Sequence, residues 1–268
     1  VEHRPETILV CHAESIDGLW TWTQELQVKT KQYGKTAELT PGGFTKVVVK
    51  SSDGSKHSYR WNKVTTCIRN ILSRDIFIDN FGEMVVASME DDAIAKLDFI
   101  KSSTDGMWGP LSTATRTGRN EINGAVYVNR RPVVKLSGRW DDYLAAEGRV
   151  LWKAVPPPSN CHEYYGFSLF AMQLNVPISD DTCIAKTDSR FRPDQRLVEE
   201  GDIQAADEIK SRLEQKQRLK RAQMEAEGLV HEPKWFVRTT PHGSYQYKGD
   251  YFEKKDLGFP CIEFDDIF

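Results

Sequence analysis

No stretch of this sequence stays apolar for the ~20 residues that a membrane-crossing helix needs, and no secretory leader precedes the first strand-like run. Cysteine is sparse. The five thiols (Cys11, Cys67, Cys161, Cys183 and Cys261) are odd in number, far apart and never in a CxxC pair, so neither a disulfide framework nor a thiolate zinc centre is expected. Histidine is equally scattered: His3, His12 and His231 fall into no HExxH-like spacing. Cys161 and His162 are adjacent, and on a strand such neighbours point to opposite faces, so no nucleophile and base pair forms there. The sequence therefore predicts a protein that is not an enzyme and has no metal and no cofactor. Charge of one sign is missing too. With 36 cations against 39 acids the net charge is −3, which excludes a nucleic-acid binder that works by bulk charge; an anion site must come from local clustering. There is no internal repeat and no low-complexity tract.

What is present is ordinary globular composition: 268 residues, 39% hydrophobic, 28% charged and 10% aromatic, enough for one large domain or two small ones. Through about residue 180 the pattern is that of strands. LWTWTQELQVKT alternates, with Trp20, Trp22, Leu26 and Val28 on one face and Thr21, Thr23, Glu25, Gln27 and Lys29 on the other. Gly34 and Pro41-Gly42-Gly43 mark turns, and Asp53-Gly54 is a hairpin signal. An acidic turn at Glu90-Asp91-Asp92 and another at Asn129-Arg130-Arg131-Pro132 join further strands. GFSLFAMQLN is apolar on both faces and reads as a segment covered on both sides. About ten strands at this close spacing predict a barrel or sandwich. Pro156-Pro157-Pro158 ends a strand and begins a linker. KWFVR and GSYQYKGDYFE read as two late extended pieces. The aromatics of YYGF and RWDD could also furnish a sugar- or nucleic-acid-binding surface, although aromatics in strands more often belong to a core.

The stretch from Thr187 to Gly228 differs from the rest. In its first part Pro193 removes a donor and pushes Arg192 towards extended geometry, so no regular helix is expected there. The second part, Ile203 to Glu227, predicts one long helix, with Asp202 as N-cap and Gly228 just past the end. Its apolar stripe is narrow (Ala206, Ile209, Leu213), too narrow for an amphipathic membrane anchor. Lys210, Glu214 and Arg218 stand at i, i+4 and i+8 and project along one line. Such a line is commonly a solvated ion-pair ladder. Here six cations and one acid lie between Lys210 and Arg221, which suits a wall facing an anion, with phosphate the natural candidate.

TDSRFRPDQRLVEEGD followed by EIKSRLEQKQRLKR resembles the C-terminal signature of the lipid-binding domain of the oxysterol-binding protein family. The resemblance continues upstream through YRWNKVTTCIRNIL, FIDNFGEMVV, LSGRWDD, LWK and YYGFSLFAMQLN, and downstream through KWF, YKGDYFE and the terminal DDIF. It implies a mainly β fold, a large incomplete antiparallel β-barrel (residues 1–185) with a long helix near its rim in a C-terminal part (186–268). It also implies a lipid carrier that exchanges a sterol or phosphatidylserine for phosphatidylinositol 4-phosphate between membranes. Lys210, Glu214 and Arg218 would contact the phosphoinositide headgroup. His3 and Arg4 of VEHRPE stand near the family's paired histidines; Arg4 keeps a permanently charged phosphate donor, while Glu6 adds an acid beside it. The family's lid helix and first barrel strands lie upstream of this motif, so a fragment with an exposed sheet edge and an apolar face open to water is expected. The implied location is cytoplasmic and peripheral at membranes, at endoplasmic-reticulum contact sites or the Golgi. The alternative is an adaptor that keeps the fold and has lost the lipid.

Overall fold

The computed structural model describes residues 2–3, 8–72, 76–102, 120–174, 176–177, 183–239, 245–259, 262 and 264, with the backbone alone for residues 2–3. Two compact units emerge, Val1–Ala154 with Thr240–Tyr245, and Val155–Thr239 with Gln246–Phe268.

Among the described residues, the first unit is a single twelve-stranded sheet. Its strands are β1 (Glu2–His3), β2 (Ile8–Glu14), β3 (Trp20–Tyr33), β4 (Thr36–Lys50), β5 (Lys56–Trp61) and β6 (Thr65–Arg69). They continue with β7 (Phe77–Ser88), β8 (Ala93–Phe99), β9 (Glu121–Val128), β10 (Arg131–Arg139), β11 (Tyr143–Ala146) and β12 (Arg149–Lys153). Strands follow one another in chain order from β1 to β12, with β6 set aside to pair with β4 and β7, so the path has two ends. Short turns make this meander possible. Gly34 (φ 56°) closes β3 to β4 and Gly54 (φ 84°) closes β4 to β5, while Asn129 and Arg130 (φ 50° and 63°) form a two-residue link whose positive φ values match the twist of β9 and β10.

Register shows which side chains share a face, because directly opposed residues point the same way. One row runs Cys11, Gln24, Thr45, Trp61, Val86, Ala95, Val126, Val134 across eight strands. A neighbouring row runs Met84, Leu97, Gly124, Leu136, Ala146, and the next Phe99, Ile122, Gly138, Leu144, Trp152. Leu97, Ile122 and Leu136 are the buried centre of this apolar face. Gly124 is required here: a Cβ on it would stand 2.1 Å from the Lys96 carbonyl oxygen. The opposite face carries Thr23, Lys46, Arg60, Lys96, Asp98 and Lys135, and Arg60 covers the Phe44 ring at 4.0 Å.

The alternation predicted from Leu19 onwards holds, as do the turns at Gly34, Asp53-Gly54, the acidic triplet and Asn129. Pro41-Gly42-Gly43 does not turn the chain; it lies within β4, where Gly43 (φ 92°) lets the strand pass so close to β3 that a Cβ would meet the Glu25 oxygen at 2.3 Å. β7 runs unbroken through Phe77–Ser88, and the described strands of this sheet number twelve against the expected ten.

The second unit is helical. Among the described residues its α-helices and strands are α1 (Leu169–Gln173), α2 (Pro193–Glu200), α3 (Ile203–Ala226), β13 (Phe236–Arg238) paired with β14 (Tyr245–Tyr247), and α4 (Tyr251–Asp256). Three expectations change. GFSLFAMQLN is not a strand covered on both faces: Ser168 accepts from the Ala171 amide and caps α1, and Leu169 and Phe170 are exposed. A short run that is apolar on both faces has no clear period to tell helix from strand, and Leu, Phe, Ala, Met and Gln lack the β-branching that would decide for a strand. Pro193 does not forbid a helix; it begins one, because at the first helical position its missing N–H would have no intrahelical partner. Tyr251 to Glu253 are helical rather than extended. Around them Trp235, Tyr251 and Phe259 pack edge to face and tilted, with Trp235 and Tyr251 centroids 5.1 Å apart.

Candidate functional site

Helix α3 is fixed at both ends. The Asp202 side chain accepts from the Ala205 amide at 3.0 Å, and Gly228 beyond the last turn takes φ 67°. Between these caps Ala206 and Leu213 are buried and Ile209 is partly so, which fixes the rotation of the helix. Lys210, Glu214 and Arg218 then fall on one exposed flank, as predicted. Arg218 Nη2 donates to Glu214 Oε2 at 3.1 Å, and Lys210 stands one turn before Glu214. The two side chains are 79% and 43% exposed, so the pair contributes little to stability and leaves the guanidinium's remaining donors to solvent. A flank with two cations spaced by one carboxylate can present N–H donors to phosphate and an acceptor to a hydroxyl in the same plane.

The linker into α2 and α3 explains why TDSRFRPDQR has its composition. Asp188 caps a short 3-10 turn by accepting from the Arg190 amide, and its two oxygens take Arg190 Nε and Nη2 at 2.8 and 2.9 Å. Arg192 repeats the fork on Asp194 at 2.7 and 3.0 Å. The Arg190 hydrogen bonds hold the Asp188 carboxyl below its ordinary pKa, and those of Arg192 do the same for Asp194. Asp194, in the first turn of α2, also meets the positive end of that helix. These four residues are not candidate ligand contacts but orient the helix pair that carries the flank. Their signal in the sequence is the mirrored spacing D-x-R, R-x-D about Phe191.

In the first unit the candidate surface is the apolar face of the sheet. Trp20, Val28, Val49, Tyr59, Ile78 and Trp152 lie on it and remain between 37% and 51% exposed. Two polar residues in this face were not singled out in the sequence. Gln24 and Thr45 are direct partners across β3 and β4, at 6% and 1% exposure, and Thr45 Oγ1 has no hydrogen-bond partner among the described residues. His3 belongs to β1 and pairs with Val10; Arg4 lies outside the described residues. Cys161 and His162 sit in a 3-10 turn, where His162 meets the neighbouring Glu163 at 3.8 Å. Cys67, Cys161 and Cys183 are free thiols, and Cys261 lies outside the described residues. No described helix is long and apolar enough to cross a membrane.

Comparison with known proteins agrees with this architecture. The sequence model of the oxysterol-binding protein family matches residues 1–256. Mouse oxysterol-binding protein-related protein 3 is 37% identical over 98% of this chain, and Arabidopsis thaliana oxysterol-binding protein-related protein 2B is 32% identical over 96%. The chain spans 30% and 36% of their respective lengths. Among solved structures, the Osh1 ORD domain in complex with cholesterol superposes with a TM-score of 0.81 at 21% identity, over 100% of this chain and 70% of that one. The Osh3 ORD in complex with PI(4)P from Saccharomyces cerevisiae gives 0.75 at 26% identity, over 93% and 64%.

Proposed function

The chain belongs to the oxysterol-binding protein family, and on that premise we propose that it is a non-catalytic lipid carrier that exchanges a sterol or phosphatidylserine for phosphatidylinositol 4-phosphate between membranes. One observation carries the reading: rows of largely apolar side chains run uncharged from β2 to β11, meet a charge at Arg149 on the edge strand β12, and remain partly open to water, whereas the reverse face of the same strands is charged. An exposed apolar face of this extent needs an occupant, and hydrocarbon fits it without asking for hydrogen bonds. The Lys210, Glu214 and Arg218 flank supports a phosphorylated headgroup as the polar part of one ligand, and family resemblance adds His3 and Arg4 to that set. The work is done peripherally, at cytoplasmic membrane surfaces.

The test is extraction. The purified chain is mixed with phosphatidylcholine vesicles bearing labelled phosphatidylinositol 4-phosphate or labelled sterol, and lipid remaining with protein after flotation is counted. Exchange predicts that each lipid is extracted and that loading with one lowers uptake of the other. Simultaneous uptake without competition would refute exchange, and failure to extract either would leave the adaptor reading.

A further inference from the structure

Three arginines stand in RFRPDQR, and the first two show what such a side chain does in this fold. The Nε and Nη2 edge of Arg190 lies on the two oxygens of Asp188, and the same edge of Arg192 lies on those of Asp194. Arg196 stands one turn after Arg192 in α2, its amide donating to the Arg192 carbonyl at 3.2 Å. Its Nε and Nη2 are buried as well, yet neither has a hydrogen-bond partner among the described residues. Arg69 and Asp250 also leave one atom unsatisfied, but each belongs to an ion pair, with Asp79 and Lys254 respectively. Among the described residues Arg196 belongs to none. The carboxylates near it in sequence do not answer it. Asp188 and Asp194 are committed to their own arginines, and Glu199 and Glu200, three and four residues on, are exposed whereas the edge is buried.

We infer that the Arg196 edge is an anion site that takes a carboxylate or phosphate group side-on. The inference stands apart from the lipid reading, since it uses no residue of the α3 flank. Two coplanar N–H groups match two oxygens of one oxoanion, the geometry that Arg190 and Arg192 realise at 2.7 to 3.0 Å. A guanidinium keeps its charge when buried, and a buried charge without a counter-charge destabilises a fold, so an edge left in this state asks for a negative partner. Water accepts the hydrogen bonds but leaves the charge unanswered. Chloride answers the charge but offers one centre where the fork offers two donors. An oxoanion does both. Arg196 as a whole is partly exposed, which places the edge close beneath the surface and within reach of a small anion.

The experiment follows the arginine side chains of the nitrogen-labelled 268-residue chain by NMR. The Nε–H resonance of Arg196, identified by its loss in Arg196→Lys, should move on titration with sodium phosphate or sodium acetate. It should stay in place with sodium chloride at the same ionic strength. The resonances of Arg190 and Arg192, whose edges are filled, should stay in place throughout. A response to both oxoanions assigns the site to carboxylates and phosphates alike; a response to one alone assigns it to that group. Thermal midpoints give a second reading. With the anion at ~10 times its dissociation constant the midpoint should rise by about 3 °C. Arg196→Met should abolish the rise, and Lys210→Ala with Arg218→Ala should keep it, which separates this site from the headgroup flank. In chloride alone Arg196→Met removes an unpaired charge and should unfold no earlier than the parent, whereas Arg192→Met strands Asp194 and should unfold earlier. The site is refuted if the Arg196 resonance ignores both oxoanions or moves no more than those of Arg190 and Arg192. It is refuted equally if the rise survives in Arg196→Met, which marks a general salt effect, or disappears in the α3 variant. A midpoint in chloride that falls as far in Arg196→Met as in Arg192→Met would show the edge already satisfied within the fold, and would overturn the inference too.

Discussion

Replacing Lys210 and Arg218 by Ala tests the headgroup assignment most directly. Their Cα atoms are eight residues apart on α3, or about 12 Å at 1.5 Å per residue, a span that two long side chains close from both ends. In the parent the line Lys210, Glu214, Arg218 sums to +1 − 1 + 1, or one positive charge; in the double variant Glu214 remains and the line carries one negative charge. Hydrogen bonds to charged groups are worth ~1.5–3 kcal/mol each. Losing two costs ~3–6 kcal/mol, and solvent at this exposed flank brings that to the lower end of the range, about two orders of magnitude in affinity at ~1.4 kcal/mol per decade. The assay is phosphoinositide extraction from phosphatidylcholine vesicles, with sterol uptake measured in parallel. Sterol uptake should change little, because the hydroxyl of a sterol asks nothing of two cations. The control is Arg212→Ala with Lys220→Ala, which removes the same charge from the opposite flank. Arg221 is unsuitable for that purpose: three residues after Arg218, it returns to the headgroup side. Equal loss of extraction in both double variants would refute the assignment and reduce the effect to diffuse charge.

Two further predictions concern stability. Thr45→Val keeps the shape of a side chain whose buried hydroxyl finds no partner among the described residues, so the thermal midpoint should rise, reflecting about 1 kcal/mol; a fall would show that the hydroxyl is satisfied in solution. Acid should unfold the second unit early. The Asp188 and Asp194 carboxyls are held below their ordinary values by Arg190 and Arg192, so they contribute stability that is fully present above the unfolded carboxylate value of ~3.9 and is lost as pH falls through the lower folded values. Denaturant midpoints followed by fluorescence should decline below about pH 4, and Asp188→Asn with Asp194→Asn should give a lower midpoint at neutral pH and a flatter curve in that window. An unchanged slope in the variant would show that these pairs are not the acid-sensitive ones.

Much of this protein is legible without coordinates because its signals are local. Alternation in β3, the glycines at 34 and 54, the cap at Asp202 and the i, i+4, i+8 line on α3 depend on the period of one element and its immediate neighbours, and each is where its residues say it should be. Where local chemistry is ambiguous, the sequence reading fails in a consistent way. Pro193 can end a helix or begin one, and here it stands at the first helical position, where its missing N–H would have no intrahelical partner. Pro41-Gly42-Gly43 has the composition of a turn, and only the close passage of β4 along β3 makes it strand. Leu169 to Gln173 has no period at all, and the hydroxyl of Ser168 settles it as helix. The sequence by itself determined the strands, the long helix and the charged flank that family resemblance marks for a headgroup, because these follow from spacing. Tertiary structure decided the rest: that eight strands bring Cys11, Gln24, Thr45 and Val134 into one row, that a polar pair sits buried in an apolar face, and that burial of Ala206 and Leu213 turns the cations of α3 onto two opposite flanks. Register and rotation are relations between elements, and no single segment of sequence contains them.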